Sequence, residues 1–316
     1  MRVAERETYL VTGGCGFIGS HIVEALAGEG HIVRVLDDLS SGYTRNLAAI
    51  RGRVEIVVGD VRDPAQVAAA MEGMSYVFHE AALVSVFDSV NRPRDNHDIN
   101  LTGTLNVLEA ARARGVKRVV MASSAAVYGN NPELPKREDM RPEPESPYAI
   151  GKIGGEHMFR VYHRLYGLET VALRYFNVYG PRQDPSSMYS GVISKFSSVL
   201  AADGTPKIFG DGGQTRDFVF VGDVVQANLL AMRSPAAAGG VFNIGTGRQT
   251  SLLDLLATLQ SIAGRSGAPE FAEARAGDIR DSVADISRAR EVLGYEPRAS
   301  LHAGLAELWR SLGECG

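Results

Sequence analysis

Cysteine is nearly absent from this 316-residue chain: the two present, Cys15 and Cys315, lie at opposite ends and in no metal-ligand spacing. That excludes a thiolate zinc site and a disulfide scaffold, and points to a reducing compartment. The seven histidines, His21, His31, His79, His97, His157, His163 and His302, show no metal spacing either, so no metal is expected. No run of 18 apolar residues occurs, and the charged start Met1–Glu7 leads straight into a short apolar strand. No membrane partner and a cytoplasmic location are therefore expected. Neither charge sign dominates: 33 Lys and Arg face 37 Asp and Glu, a formal net charge of −4. Such a surface has no basic field to gather nucleic acid or anionic lipid, so any phosphate must be held by a local site. No Ser/Gly or Pro-rich linker, fixed-period repeat or low-complexity tract divides the chain. What is present is an ordinary globular composition, 45% hydrophobic and 22% charged, with 35 Gly and 13 Pro. The length suits one large domain or two intimately joined ones.

Short Val- and Ile-rich runs alternate with helical patterns from Thr8 to about Arg174, the sequence form of repeated βαβ units. Strands are predicted at Thr8–Thr12, His31–Leu36, Val54–Val58, Tyr76–His79, Arg118–Ala122 and Thr170–Leu173. Helices are predicted at Gly19–Ala27, Ala65–Met71, Leu101–Arg114 and Tyr148–Tyr166. After Phe176 the pattern is more broken, with helices near Asp223–Arg233, Leu252–Ala263 and Leu301–Leu312. The fold class is thus α/β, a Rossmann doubly wound parallel sheet with a smaller C-terminal α/β lobe. Residues 1–176 form the first domain, with a return segment near 221–245, and 177–220 with 246–316 form the second lobe.

Gly13, Gly16 and Gly19, in Val11-Thr12-Gly13-Gly14-Cys15-Gly16-Phe17-Ile18-Gly19, follow the first strand and open the first helix. Glycines there permit a tight turn and let backbone N–H groups meet a pyrophosphate at the helix N-terminus, with Phe17 and Ile18 in the first helical turn. The second strand ends at Asp37-Asp38, where a carboxylate can accept hydrogen bonds from ribose hydroxyls and repel a 2′-phosphate. NAD rather than NADP is expected, with Asp37 as ribose ligand and Asp38 a weaker candidate or a solvated turn residue. Asp60, beside Val61, lies where it could reach an adenine amino group or cap its own loop. Ala81 and Ala82, after His79-Glu80, are small enough to let a cofactor pass, although core packing accounts for them too.

Tyr148 and Lys152 stand at i and i+4 and share one helix face, where an ammonium can lower a phenol pKa towards a usable general base. Ser123-Ser124 lies at the carboxyl end of the fifth strand, where open α/β sheets bind ligands, and Tyr148 follows 24 residues after Ser124.

Four segments, Thr12–His21, Ser123–Gly129, Ser146–Lys152 and Arg174–Gly180, resemble the extended short-chain dehydrogenase/reductase family. Within it they are similar to nucleotide-sugar 4-epimerases of the UDP-glucose and UDP-N-acetylglucosamine group. The resemblance implies Ser124, Tyr148 and Lys152 as catalytic residues, bound NAD, a UDP-sugar substrate and no nucleic-acid partner. It implies Asn100 as a brace of the site, with helix capping as the alternative role. Asn177, Arg216 and Arg275 match diphosphate or sugar-phosphate positions, and guanidinium forks suit phosphate. Arg182-Gln183-Asp184-Pro185 resembles a sugar loop, with a plain turn as the alternative. Ser282, five residues after Gly277, matches a position beside sugar C2 where a bulky Tyr excludes N-acetyl groups; a simple loop residue is the alternative. Related 4,6-dehydratases carry an acid and base just after the serines. Here Ala125 and Ala126 stand there, so the resemblance implies epimerisation, with UDP-glucuronate 4-epimerisation, another nucleotide-sugar oxidoreduction or a non-catalytic NAD-binding role as the alternatives. The helices at 101–114 and 148–166 resemble those that pair in family homodimers.

Overall fold

The structure, a computed structural model, describes residues 6–183, 191–274 and 279–313. In chain order the first half runs β1 (Thr8–Thr12), α1 (Phe17–Gly28), β2 (Ile32–Asp37), β3 (Val54–Val58), α2 (Pro64–Ala70), β4 (Tyr76–His79), α3 (Val86–Asn91), α4 (Pro93–His97), α5 (Gly103–Arg114), β5 (Arg118–Ser124), α6 (Pro147–Tyr166) and β6 (Glu169–Tyr175). The second half adds β7 (Asn177–Tyr179), α7 (Val192–Ala201), β8 (Lys207–Phe209), β9 (Thr215–Arg216), β10 (Phe218–Phe220), α8 (Val221–Arg233), β11 (Val241–Ile244), β12 (Thr250–Ser251), α9 (Leu252–Ala263), β13 (Glu270–Ala272), α10 (Ser287–Leu293) and α11 (Leu301–Gly313).

Seven strands form one sheet in the order β3-β2-β1-β4-β5-β6-β11, and every pairing in it is parallel. Because successive strand residues point to opposite faces, Tyr9 and Val11 join one core with Phe78 and Val120, while Leu10 joins the other with Val77 and Val119. Ile22, Val23 and Leu26 of α1 with Val224 and Ala227 of α8 close the first face; Val67, Val107, Leu108 and Phe159 of α2, α5 and α6 close the second. Each Val, Leu, Ile or Phe so buried contributes about 1.5–3 kcal/mol. A third cluster, including Phe196, Leu200, Leu255, Leu259, Leu305 and Leu308, joins α7, α9 and α11 into the smaller lobe.

Three departures from the sequence expectation bear on the site. Strands β5 and β6 each run on to residues 124 and 175, and Ser124 pairs with Tyr175, so the serines are ordered strand residues. The helix expected from Leu101 starts at Gly103, preceded by a π turn at Asp98–Thr102. Such a turn inserts one residue and re-aims side chains, and here it turns Asn100 inward. Helices α3, α4, α7 and α10 were not predicted; three of the four are seven residues or shorter, too brief to register a helical period. Helix α6 is fixed by Ser146, whose Oγ accepts from Ala149 N at 3.2 Å, and by Pro147 at its first position. Its Gly151 and Gly154 each cost about 1 kcal/mol in helix propensity. They are needed because a Cβ would come to 2.9 Å from Asn100 Cβ and 2.5 Å from Leu101 Cδ2, so α6 lies with its backbone against the π turn.

Candidate active site

The first βα turn is shaped by contact as well as by dihedral preference. Gly13 has φ +67°, and a Cβ on it would lie 2.7 Å from the Ala81 nitrogen; one on Gly19 would overlap the Gly13 carbonyl oxygen. The three layers, glycine turn, helix start and the Ala81-Ala82 segment, are therefore in direct backbone contact. Gly16 is the N-cap of α1 and provides no side-chain acceptor for the first-turn N–H groups of Phe17 and Ile18. That leaves a helix N-terminus and its dipole free to meet an anion.

Asp37 is 6% exposed, and both its oxygens take backbone donors: Oδ2 accepts from Cys15 N at 2.8 Å and Oδ1 from Leu39 N at 2.9 Å. Burial pushes its carboxyl up, and these two bonds pull against that shift. Asp37 thus joins the end of β2 to the glycine turn, and each oxygen keeps a lone pair for a further donor. Exposed Asp38 folds back on Ser40, accepting from its N and Oγ at 2.9 and 2.6 Å. Asp60 pairs with Arg62 at 2.5 Å, which holds its carboxyl below the ordinary value, while Val61 is buried beneath. The residues present fit a dinucleotide: a bare helix start for the pyrophosphate, a carboxylate at the end of β2 for the ribose, and small residues after β4.

At the carboxyl ends of β4, β5 and β6 the structure brings Ser124, Tyr148 and Lys152 to one corner. Lys152 is buried and donates to Ala122 O at 2.9 Å, with Nζ 5.8 Å from the Tyr148 ring centroid. Ser124 Oγ accepts from Ala126 N at 3.1 Å in the turn after β5, and a hydrogen bond from Ser124 favours the Tyr148 phenolate. Burial raises the Tyr148 phenol, the hydrogen bond from Ser124 opposes that shift, and the charge of Glu80 adds to it.

Glu80 is a site residue whose charge sequence reasoning passed over. It accepts from Tyr175 OH at 3.1 Å, and Tyr175 OH in turn receives Asn228 Nδ2 at 2.8 Å. Burial lifts its carboxyl to about 7, and burial lowers Lys152 to about 8, each opposed by the charge of the other. A charged residue at the carboxyl end of a parallel strand was the available signal. Asn100 does not cap a helix: its Oδ1 accepts from Leu83 N at 2.9 Å and its Nδ2 donates to Leu83 O at 3.1 Å. Below the corner, Arg174 and Glu156 form a buried bidentate pair at 2.9 and 2.7 Å, and Ser123 Oγ donates to Glu156 at 2.5 Å.

In the smaller lobe, fully buried Asp217 accepts from Thr246 N, Thr246 Oγ1, Gly247 N and Ala284 N between 2.6 and 3.1 Å. Around that anchor, exposed Asn177 donates its N–H to Asp217 O at 3.0 Å, and half-buried Ser282 donates its own to Thr215 O at 3.2 Å. Arg216 donates to Thr215 O at 2.9 Å. Strand β9 and its extension thus gather Asn177, Arg216 and Ser282. Arg275 and Gly277 lie outside the described residues, as do Asp184 and Pro185. Arg182 grips Glu24 of α1 at 2.5 Å, so the start of the expected sugar loop is tied to the cofactor-side helix.

Sheet order, glycine turn and the Ser124, Tyr148 and Lys152 corner together define a dinucleotide-binding α/β enzyme. The chain belongs to the NAD dependent epimerase/dehydratase family, whose model it matches over residues 9–245. It is 45% identical over 302 residues to a UDP-glucose 4-epimerase of Mycolicibacterium smegmatis, covering 94% of this chain and 96% of that one. It is 34% identical over 309 residues to a UDP-glucuronate 4-epimerase of Thermodesulfobacterium geofontis, covering 94% and 93%. Among solved structures, a UDP-N-acetylglucosamine 4-epimerase from Methanobrevibacter ruminantium in complex with UDP-N-acetylmuramic acid superposes with a TM-score of 0.94 at 37% identity, covering 98% and 99%. Among the described residues no group of His, Cys, Asp and Glu could hold a metal ion, and no helix is long and apolar enough to cross a membrane.

Proposed function

We propose that this chain catalyses reversible C4 epimerisation of UDP-hexoses through a 4-keto intermediate, interconverting UDP-GlcNAc with UDP-GalNAc and UDP-Glc with UDP-Gal. The observation that carries the reading is the convergence of Ser124, Tyr148 and Lys152 beside a turn whose next two residues, Ala125 and Ala126, have no proton to give. One base at the sugar 4-OH is what epimerisation needs, whereas dehydration requires a further acid and base. In this reading Tyr148 removes the 4-OH proton, Ser124 hydrogen-bonds that oxygen, and buried Lys152 supplies positive charge beneath the phenol. NAD, when bound, supplies the acceptor and then the donor of one hydride at C4. Gly13, Gly16, Gly19, Phe17, Ile18 and Asp37 would hold it, with Asp38, Asp60, Val61, Ala81, Ala82 and Asn100 around it. Asn177, Arg216 and Arg275 would hold the diphosphate side of the substrate. The return of the hydride to the opposite face requires the ketosugar to turn about its phosphate linkage, so the small lobe must grip the nucleotide and leave the sugar loose.

Ser282 supports the N-acetylhexosamine reading, since a serine beside C2 leaves room that a tyrosine fills. Overpacking such a pocket costs about 1–3 kcal/mol, so Ser282→Tyr is expected to suppress UDP-GlcNAc turnover and spare UDP-Glc; equal effects on both substrates refute the size argument. The glucuronate relative favours a second reading on the same corner, UDP-glucuronate 4-epimerisation. Purified protein incubated without added NAD, separately with UDP-GlcNAc, UDP-Glc and UDP-glucuronate, decides between them by product analysis; no C4 epimer from any of the three refutes the function. Pairing of two copies through α5 and α6 is part of the proposal: Leu105, Ile150, Val161, Leu165 and Tyr166 are apolar or aromatic and exposed on these helices. The reducing compartment suggested by cysteine usage makes the cytoplasm its proposed location.

A further inference from the structure

Asn96, in α4, is 2% exposed and belongs to none of the groups assigned above. Its amide has two partners: Oδ1 accepts from Asn100 Nδ2 at 2.8 Å, and Nδ2 donates to Pro147 O at 2.8 Å. Asn100 in turn clasps the Leu83 N–H and carbonyl. An unbroken chain of hydrogen bonds therefore runs from the segment after β4, which touches the glycine turn, to the residue immediately before Tyr148. Gly151, three residues beyond Tyr148, backs onto the same pair: a Cβ there would lie 3.5 Å from Asn96 Nδ2 and from Asn100 Nδ2. Ser146 already fixes where α6 begins. What the cap does not fix is how the first turn sits sideways over the sheet, and that is the freedom the Asn96 bond removes. The site demands an acceptor towards Asn100 and a donor towards Pro147 O from one short side chain. An amide meets both; a carboxylate would set an acceptor against the Pro147 carbonyl, and an aliphatic group meets neither.

We propose that Asn96 is a positioning residue for Tyr148, locking the first turn of α6 to the cofactor-side segment at Leu83 through Asn100. The inference rests on the functional reading above, in which Tyr148 is the base, and extends it to a residue that touches neither substrate nor cofactor. A small misplacement of a reacting group costs up to about 10²-fold in rate, far more than it costs in binding.

The test uses the full-length protein with Asn96→Asp, Asn96→Leu and Asn96→Gln, assayed for UDP-sugar epimerisation across pH, with calorimetric melting and hydrogen exchange of the 146–152 peptide. The Asp and Leu variants are expected to lose at least about tenfold in kcat, with KM changed less than about threefold. The pH limb of kcat set by Tyr148 should move, and the peptide should exchange faster. Gln, which keeps an amide of both polarities, is expected to recover part of kcat. Wild-type kcat and an unmoved pH limb in the Asp and Leu variants overturn the proposal, as does a loss fully accounted for by the unfolded fraction. If those two do not fold, the Gln variant decides: lower kcat at constant KM supports positioning, and wild-type behaviour refutes it. A wild-type protein inactive on every UDP-sugar is a failure of the functional reading alone. Exchange at 146–152 still decides this proposal in that case, because unchanged protection in the variants overturns it.

Discussion

Replacing Glu156 by Ala removes a carboxylate that accepts three hydrogen bonds from two side chains. Arg174 donates to it through Nε at 2.9 Å and Nη2 at 2.7 Å, and Ser123 Oγ donates at 2.5 Å. Both members of the ion pair have side chains only 4% exposed, so water does not replace what is lost. Arg174 keeps its bond from Nη1 to Tyr128 OH at 2.9 Å, but its paired carboxylate is gone and only the charge of Glu138, which makes no bond to it, remains nearby. Breaking one side of such a pair costs about 3–5 kcal/mol. With an unfolding entropy of about 2.1 cal/mol/K per residue, 316 residues give about 0.7 kcal/mol/K. The melting temperature should therefore fall by about 5–8 °C in a calorimetric scan. Because Ser123 immediately precedes Ser124, kcat should fall as well. The double variant Glu156→Leu with Arg174→Met replaces charge by apolar volume and should regain most of the stability, since a buried pair is worth little against its apolar substitute. A single variant that melts within about 1 °C of wild type, or a double variant that is simply additive, refutes the reasoning.

Three further outcomes are expected. Tyr148→Phe should retain NAD and bind UDP-sugar while losing about 10²–10⁴ in kcat, and near-native turnover in that variant removes Tyr148 from the mechanism. Asp37→Ala frees the buried N–H groups of Cys15 and Leu39, costing about 1–3 kcal/mol. It should release NAD during purification and weaken discrimination against NADP; cofactor content of the purified protein reads both, and wild-type NAD content contradicts the ribose assignment. Glu80 has a carboxyl raised from 4.5 to about 7 in the folded chain, so its contribution to stability is fully present below pH 4.5 and is lost as pH rises through 7. Melting of Glu80→Gln relative to wild type should therefore improve steadily across that window, and a difference independent of pH shows that Glu80 does not titrate there.

The sheet and the glycine turn after β1 were legible because both are written in local pattern. A parallel strand buried on two faces must be a short apolar run, a turn with positive φ packed against another backbone must be glycine, and Tyr148 and Lys152 share a face because four residues is about one helical turn. The central strands and helix α9 therefore lie close to their sequence-predicted positions, and Gly13 has its positive φ where the spacing puts the turn. Pairings across distant elements were not legible. Glu80 meets Tyr175, and through it Asn228, only because β4, β6 and α8 converge at the carboxyl ends of the strands, and its near-neutral carboxyl comes from burial that no local window contains. Asn96 looks like one more polar residue in a short helix until α6 crosses above it and sets Pro147 O at 2.8 Å. The π turn that aims Asn100 at Leu83 has no period of its own, so it was absorbed into the predicted start of α5. Sequence alone determined which chemical groups are available at the strand ends. Tertiary packing decided which of them are dry and whom they face, since hydrogen-bond partners 17 to 95 residues apart are chosen by the sheet and not by the chain.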